Sequence, residues 1–574
     1  MDKNKRLTVW LPVIIAASIA LGIFIGNHYL SISQGKKRSY SSGNKINAIL
    51  DIIDEQYVDT VSMSKLVEST IPKIFSELDP HSVYIPAEDA SVVNEELEGS
   101  FSGIGVSFNM QTDTILVISV ISGGPAEKAG LLPFDRIISI NDSIFSGKKK
   151  NQGEIMKTLR GAKNSTVKLG VQRGNSPELL YFDVTRGDVP VNSVDVSFEA
   201  AKGIGYIKVS KFARNTYNEF ITAIAKLKQA GCTSFVIDLR GNTGGYMDAA
   251  INMINEFMPE GRLIVYTEGK SFPRSDVYAN GTGTCKDAPI VVLTDEISAS
   301  ASEIFSGAIQ DNDRGTIIGR RTYGKGLVQT QMSLRDGSEM RLTIARYYTP
   351  SGRCIQKKYE MGNTDAYDQD IYNRYMHGEF DSADSIKMDD SLKYQTVGGR
   401  TVYGGGGIMP DIFIPRDTSG VTSYYSNVVN SGVLYLYALE YSDRHREKLG
   451  SFKTWEELYN YLQQQPLLSD FVNFAATKGI KRRPTLINIS GKLIENQLQA
   501  YIVRNFFDEA GFYLKDDVTL LRAIKILQEG KSVPNAELLK QSANGDLHSQ
   551  AGPTKRYGLS KKRIFEDYLV RAIG

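Results

Sequence analysis

Two short runs constrain this chain more than anything else in it. Ser234-Phe-Val-Ile-Asp-Leu239 and Ile290-Val-Val-Leu-Thr294 are apolar with little interruption. A strand with one wet face alternates polar and apolar residues, whereas a continuous apolar run suits a strand covered on both faces. Gly205-Tyr-Ile-Lys-Val209 reads as another strand, Asn218 to Gln229 as an amphipathic helix, and Ser302 to Gln310 as helical by period. Strands alternating with helices from Gly203 to Val292 predict an α/β core.

The flanking segments have other periods. From Asn44 to Leu78 apolar residues recur at helical spacing (Ile46, Ile49, Leu50, Ile53, then Leu66, Ile71, Ile74, Phe75, Leu78), which predicts two or three helices ended by Asp79-Pro80. From Gly99 to Gly187 short β-rich runs take over: Ile115 to Ile121, Arg136 to Ile140 and Val167 to Arg173, with one helix at Gln152 to Leu159. After Pro415 the pattern is mostly helical, with Trp455, Leu458, Tyr459 and Leu462 on one face, and 540–556 read as disordered. A length of 574 residues suits about four units at ~150 residues each. No 20–50-residue repeat is present.

Charge and cysteine content narrow the class. Lys plus Arg number 67 and Asp plus Glu 65, so no global excess points to nucleic acid or to a solvating chain. Cys232, Cys285 and Cys354 are too few and too far apart for a disulfide scaffold or a zinc site. Thr8 to Gly26 carries no charge and as a helix would be about 28 Å long, close to a bilayer's hydrocarbon core. Lys3, Lys5 and Arg6 precede it, which places that end in the cytoplasm and the rest outside. An uncleaved anchor is the first expectation; a cleaved signal peptide and a buried helix are the alternatives. Residues 31–43, rich in Ser and Gly, read as a flexible spacer.

Three segments carry chemistry. Asp295-Glu-Ile-Ser-Ala-Ser-Ala-Ser-Glu-Ile304 joins a strand to a helix, and a serine at such a turn sits where unpaired N–H groups favour negative charge. Serines there are also common helix caps. Gly324-Lys325-Gly326 sets a lysine between residues that let backbone approach and exclude water, and desolvation disfavours an ammonium. To serve as a base near neutrality that lysine must fall by roughly 3 pH units, about 4 kcal/mol. Asp238-Leu-Arg-Gly-Asn-Thr-Gly-Gly245 ends a strand in glycines whose N–H groups can face a cleft, and it lacks the Gly-Lys-Ser/Thr of a phosphate loop. Taken singly, each is also an ordinary cap, turn or exposed lysine.

Together these segments resemble the C-terminal processing peptidases, or tail-specific proteases, which are serine peptidases with a Ser–Lys pair. Ser298-Ala-Ser-Ala-Ser-Glu-Ile304 looks like the nucleophile motif, and Gly324-Lys-Gly-Leu-Val-Gln329 like the base motif, with Ser300 and Lys325 at the family's spacing. Asp79-Pro-His-Ser82 and Gly404-Gly-Gly-Gly-Ile-Met-Pro-Asp411 are further signatures, and the resemblance covers about residues 45–415. It implies Ser300, Lys325 and Gln329 as nucleophile, base and orienting residue, and an oxyanion hole from Ala301 with Gly244 or Gly245. It implies a crotonase/ClpP-like α/β peptidase core at 188–415, an inserted PDZ domain at 99–187, N-terminal helices at 44–98 and a helical region at 416–539. Gly103-Ile-Gly-Val106 resembles the PDZ carboxylate-binding loop, and Gly124-Pro-Ala-Glu-Lys-Ala-Gly130 its turn and short helix. Substrates would be exported proteins held by their C-terminal tails. No metal or cofactor is implied. The location would be the bacterial inner membrane, single-pass, with the catalytic part periplasmic.

Two rivals are carried forward. One is a membrane-tethered PDZ binding protein without catalysis. The other is a Ser–His–Asp hydrolase, which would need His81 or His377; none of the five histidines lies in a Gly-x-Ser-x-Gly context. Ser-x-x-Lys at Ser62 and Ser146 reads as chance, and 381–390 as a solvated acidic loop without calcium-site spacing. One geometric requirement follows for the base. Lys325 and Gln329 are neighbours in a helical turn but roughly 13 Å apart along a straight strand. The expectation is a helical turn or bend at 325–329 that enters a strand near Thr330. The helical region after 415 has no assignable motif; self-association, substrate admission and partner docking are all open to it.

Overall fold

The computed structural model describes residues 16–23, 42–111, 114–145, 152–174, 176, 178–507 and 516–533. Most of the apolar Thr8–Gly26 stretch, most of the 31–43 spacer, Ser146 and the 540–574 tail lie outside them. Among the described residues no helix is long and apolar enough to cross a membrane. The chain divides into two units, Met1–Lys73 and Ile74–Gly574. In the first, residues 16–23 are helical and the helix Ser42–Gln56 follows, with Ile46, Ile49 and Ile52 exposed.

In the second unit the two apolar runs lie side by side. A six-stranded sheet runs in the order Val194–Ala201, Ile204–Val209, Ser234–Asp238, Ile290–Thr294, Thr316–Gly319, Ile412–Phe413. Its first pair is antiparallel and the rest are parallel. Alternation then decides which face each residue serves. Phe235, Ile237, Ile290 and Val292 pack with the helices Thr216–Gln229, Met247–Asn255 and Ala301–Asp311. Val236, Val291 and Leu293 face the other way, onto Leu520, Ala523, Ile526 and Leu527 of the helix Val518–Gln528. That last helix, predicted with the C-terminal region, therefore belongs to the α/β core.

A second, five-stranded sheet holds the lysine motif. Its long strand Glu339–Tyr348 pairs with Leu327–Ser333, with Leu263–Glu268 and with Val83–Ile85. The segment expected to be helical through residue 98 thus contributes a three-residue strand, too short to leave a period in the sequence. The strands of the expected PDZ domain form their own six-stranded sheet around Ile115, Val117, Ile137, Leu169 and Val171. Its helix spans Gln152–Leu159, as predicted. A stem of Ser100–Gly103 paired with Gly187–Pro190 joins it to the core. Residues 423–504 fold into six helices around Leu434, Leu458, Leu462, Phe471, Ile494 and Leu498. Leu458 and Leu462 are fully buried and Trp455 packs at the edge, as the predicted face requires.

Candidate active site

Ser300 sits where a buried strand gives way to a buried helix. Asp295 Oδ1 accepts the N–H groups of Ile297 and Ser298 at 3.1 Å each, and Ser298 Oγ donates to the Leu239 carbonyl at 2.8 Å. This tight turn carries Ser300 into φ +55, ψ −114, a backbone region that side-chain-bearing residues seldom occupy. All eleven residues of the following helix, Ala301–Asp311, are buried, whereas Ser300 is only half-buried. The Ala301 N–H has no acceptor among the described residues.

The 238–245 loop is laced to that turn. The Asn242 carbonyl accepts Ala299 N–H at 3.0 Å and Ser302 Oγ–H at 2.9 Å, while Asn242 Nδ2 donates to the Val209 carbonyl. A Cβ on Gly244 would lie 2.6 Å from Ser300 Cβ, so only glycine fits there. The two candidate oxyanion glycines differ. Gly244 N–H is already committed to Asn242 Oδ1 at 2.8 Å, whereas Gly245 pairs with Phe212 as an isolated bridge and its own N–H has no acceptor among the described residues. Gly245 is the donor that remains; Gly244 provides room.

Lys325 Nζ donates to Gln329 Oε1 at 3.0 Å. Of the two expected geometries, a bend rather than a helical turn makes the contact. The strand already begins at Leu327, and the two side chains meet because the ladder slips between Val328 and Gln329. Such a bulge re-aims a side chain and bends the strand, which a straight register could not do. Burial, with the positive Arg341 adding to it, pushes the Lys325 ammonium below its usual value; Asp79 and Glu303 pull the other way. The predicted close backbone approaches are present: Gly407 N lies 3.1 Å from a Cβ placed on Gly324, and Gln356 N lies 2.9 Å from one on Gly326. The Gly404–Asp411 motif thus backs the lysine loop, with Ile408 N–H donating to Thr322 Oγ1 at 2.6 Å.

Two buried residues that the sequence reading did not select tie the serine and lysine segments together. Glu303 Oε2 accepts Ser300 N–H at 2.9 Å and Lys325 N–H at 2.8 Å. Its Oε1 accepts Gly324 N–H at 2.7 Å and the Thr322 hydroxyl. Burial nonetheless pushes the Glu303 carboxyl up to about 7. The Tyr347 hydroxyl lies at the Ser300 carbonyl, 3.1 Å away, and at the Lys325 carbonyl. Glu303 stands three residues into the helix that Ser300 opens, where a capping-box carboxylate belongs, so that pattern was a usable signal. Tyr347 had none.

The histidines are engaged elsewhere. The His81 ring shares a 2.9 Å hydrogen bond with Tyr367, and burial, then Lys325, lower its pKa to about 4. His377 is exposed at the end of the Thr364–Met376 helix, its Nδ1 2.7 Å from the Asn373 carbonyl. In the PDZ unit, Val106–Gln111 is an edge strand of its sheet. Gly105 has φ +78, Ile104 is buried, and the N–H groups of Ile104 and Gly105 have no acceptor among the described residues. Gly103 closes the stem strand opposite Gly187.

A strained serine at a strand-to-helix turn, beside backbone N–H groups with no acceptor among the described residues and in a chain that carries a separate PDZ-like sheet, is what a PDZ-bearing serine peptidase would need. Residues 203–365 match peptidase family S41, 102–184 match the PDZ domain, and 424–508 match a family of unknown function. The chain is 35% identical over 318 residues to the carboxy-terminal processing protease CtpB of Bacillus subtilis, covering 55% of this chain and 66% of that protein. It is 33% identical over 365 residues to a probable CtpA-like serine protease of Staphylococcus aureus, covering 62% and 72%. Among solved structures it is 28% identical to a photosystem II D1 C-terminal processing protease, with a TM-score of 0.31 over 55% of this chain and 90% of that one. The chain belongs to peptidase family S41, among its C-terminal processing serine proteases.

Proposed function

We propose that this protein hydrolyses peptide bonds near the C-termini of exported proteins, with Ser300 as nucleophile and Lys325 as its base. Neutral Lys325 takes the Ser300 Oγ proton as that oxygen attacks the carbonyl carbon. The Ala301 and Gly245 N–H groups receive the oxyanion. The lysine, now charged, protonates the leaving amine, and water releases the acyl group. Gln329 Oε1 holds one lysine N–H and so steers the nitrogen's lone pair.

One observation carries this reading above others: a part-buried amine, held by Gln329, sits on a loop whose N–H shares a single carboxylate oxygen with the N–H of Ser300. The loop Gly103–Val106, with its free donors beside an edge strand, supports capture of a substrate's terminal carboxylate, the tail adding as a further strand. The uncharged Thr8–Gly26 stretch after three cationic residues supports a tether that leaves the peptidase outside the cytoplasm.

Ser300→Ala and Lys325→Ala should each abolish cleavage of a reporter ending in a free apolar tail, without moving the melting temperature by more than a few degrees. Full activity in either variant overturns the assignment. Tail binding by the native protein with no cleavage would favour the non-catalytic alternative.

A further inference from the structure

Gln329 can orient the lysine only if its own amide is held one way round. With Oε1 toward Lys325 it accepts an N–H and leaves the amine's lone pair free. With Nε2 there it would donate to that lone pair and occupy the electrons needed for the serine proton. The choice is made outside the catalytic motifs, because Gln329 Nε2 donates to the backbone carbonyl of His81. A carbonyl accepts and never donates, so this contact fixes the amide's orientation.

That carbonyl is itself held in place. Asp79 Oδ1 accepts the N–H groups of His81 at 3.0 Å and Ser82 at 3.1 Å, and the Thr343 hydroxyl at 2.8 Å. Asp79 Oδ2 accepts the Ser82 hydroxyl, whose oxygen accepts Thr343 N–H at 3.0 Å. Thr343 is the residue paired with Gln329 across the bulged ladder. The circuit is therefore closed: Gln329 to the His81 carbonyl, through the Asp79–Ser82 turn to Thr343, and across the sheet back to Gln329. The His81 ring, bonded to Tyr367, anchors the turn from its other side.

We propose that the Asp79–Ser82 turn is a positioning device for the base, with Asp79 acting on Lys325 through the orientation of Gln329. The proposal rests on the Ser–Lys reading above. It assigns the Asp-Pro-His-Ser motif a role in catalysis that none of its side chains performs by touching substrate.

The test is a double-mutant cycle on the full-length protein, using a peptide with a free C-terminal carboxylate and recording kcat, KM and melting temperature. Asp79→Ala should lower kcat roughly 10- to 100-fold with KM within about 2-fold, as a misplaced base would. In a Gln329→Ala background the same change should cost less than about 2-fold, because the element it acts through is gone. Thr343→Val, which removes one donor and keeps the shape, should show the same non-additivity at smaller size, and it stands in if Asp79→Ala does not fold. Multiplicative losses from Asp79→Ala or Thr343→Val with Gln329→Ala overturn the proposal, as does a Gln329→Ala variant with native kcat. Activity retained in Ser300→Ala or Lys325→Ala would instead overturn the Ser–Lys reading itself.

Discussion

Water does not reach the carboxyl of Glu303, but four donors do. Thr322 Oγ1 already accepts the Ile408 N–H, so its proton is free for Glu303, and the other three donors are backbone N–H groups. The geometry demands a carboxylate, while burial favours the acid and lifts its pKa to about 7 from an ordinary 4.5. A carboxyl raised in this way favours the fold most below its unfolded pKa, and that contribution is lost as pH climbs through about 7. The loss is about 3 kcal/mol at full ionisation. Function runs the opposite way, since protonation removes an acceptor from the Ser300 and Lys325 loops. Activity should therefore fall as pH drops through about 7. Glu303→Gln sets an amide NH2 against backbone donors and should lower kcat/KM by on the order of 10- to 100-fold at every pH. Its melting temperature should approach or exceed the native value above pH 8. A pH profile of both quantities checks this; native kcat/KM in the variant would contradict it.

At the scale of elements, the strand-to-helix turn at 300 and the strand bulge at 328–329 do most to build the site. The first was legible from the sequence, because a buried strand, a run of small residues and a helical period follow one another within twenty positions. The bulge was not. It depends on register against Glu339–Tyr348, and a register slip leaves no mark in one strand's composition. For the same reason the second partner of Gln329 was hidden: its amide reaches a carbonyl 248 positions away, and Tyr347 reaches Ser300 across 47. Resemblance to the family's motifs selected the serine, the lysine and the glutamine. It could not say which of two adjacent glycines offers a donor, since that turns on Asn242 Oδ1 having taken the Gly244 N–H. Glycine itself is testable at this scale. Gly244→Ala puts a methyl 2.6 Å from Ser300 Cβ at φ +106, and kcat should drop by about 100-fold or more. Gly231→Ala, at φ +93 with nothing within 4 Å, should cost about 1 kcal/mol of stability and leave kcat alone. Equal kinetics in the two variants would remove the steric argument for Gly244.

Across the whole second unit, the PDZ sheet touches more than its stem. Phe134 lies on the turn that leads from the short helix Pro125–Ala129 into the PDZ strand Arg136–Ile140, in left-handed backbone, φ +69, which is costly for an aromatic residue, and yet it is 2% exposed. What buries it is the six-helix region: Leu439 shares its cluster with Leu116, and Tyr435 and Phe506 pack alongside. The Arg446 guanidinium lies 5.1 Å from the ring centre, and Arg136 pairs with Asp443 at 2.9 Å. The helical region thus grips the PDZ domain through one aromatic residue ringed by polar contacts, the usual anatomy of an interface hot spot. Phe134→Ala should cost the contact roughly 3 kcal/mol or more. Because Phe134 packs outward from the PDZ core of Ile115, Val117 and Ile137, the domain itself should stay folded. Hydrogen exchange should then quicken at 131–136, 433–444 and 500–507 and stay native in the strands Thr114–Val120 and Ile290–Thr294. Exchange that rises throughout the PDZ sheet would mean Phe134 holds the domain's fold rather than its mooring. Exchange unchanged at 433–444 would mean that the mooring does not depend on this residue.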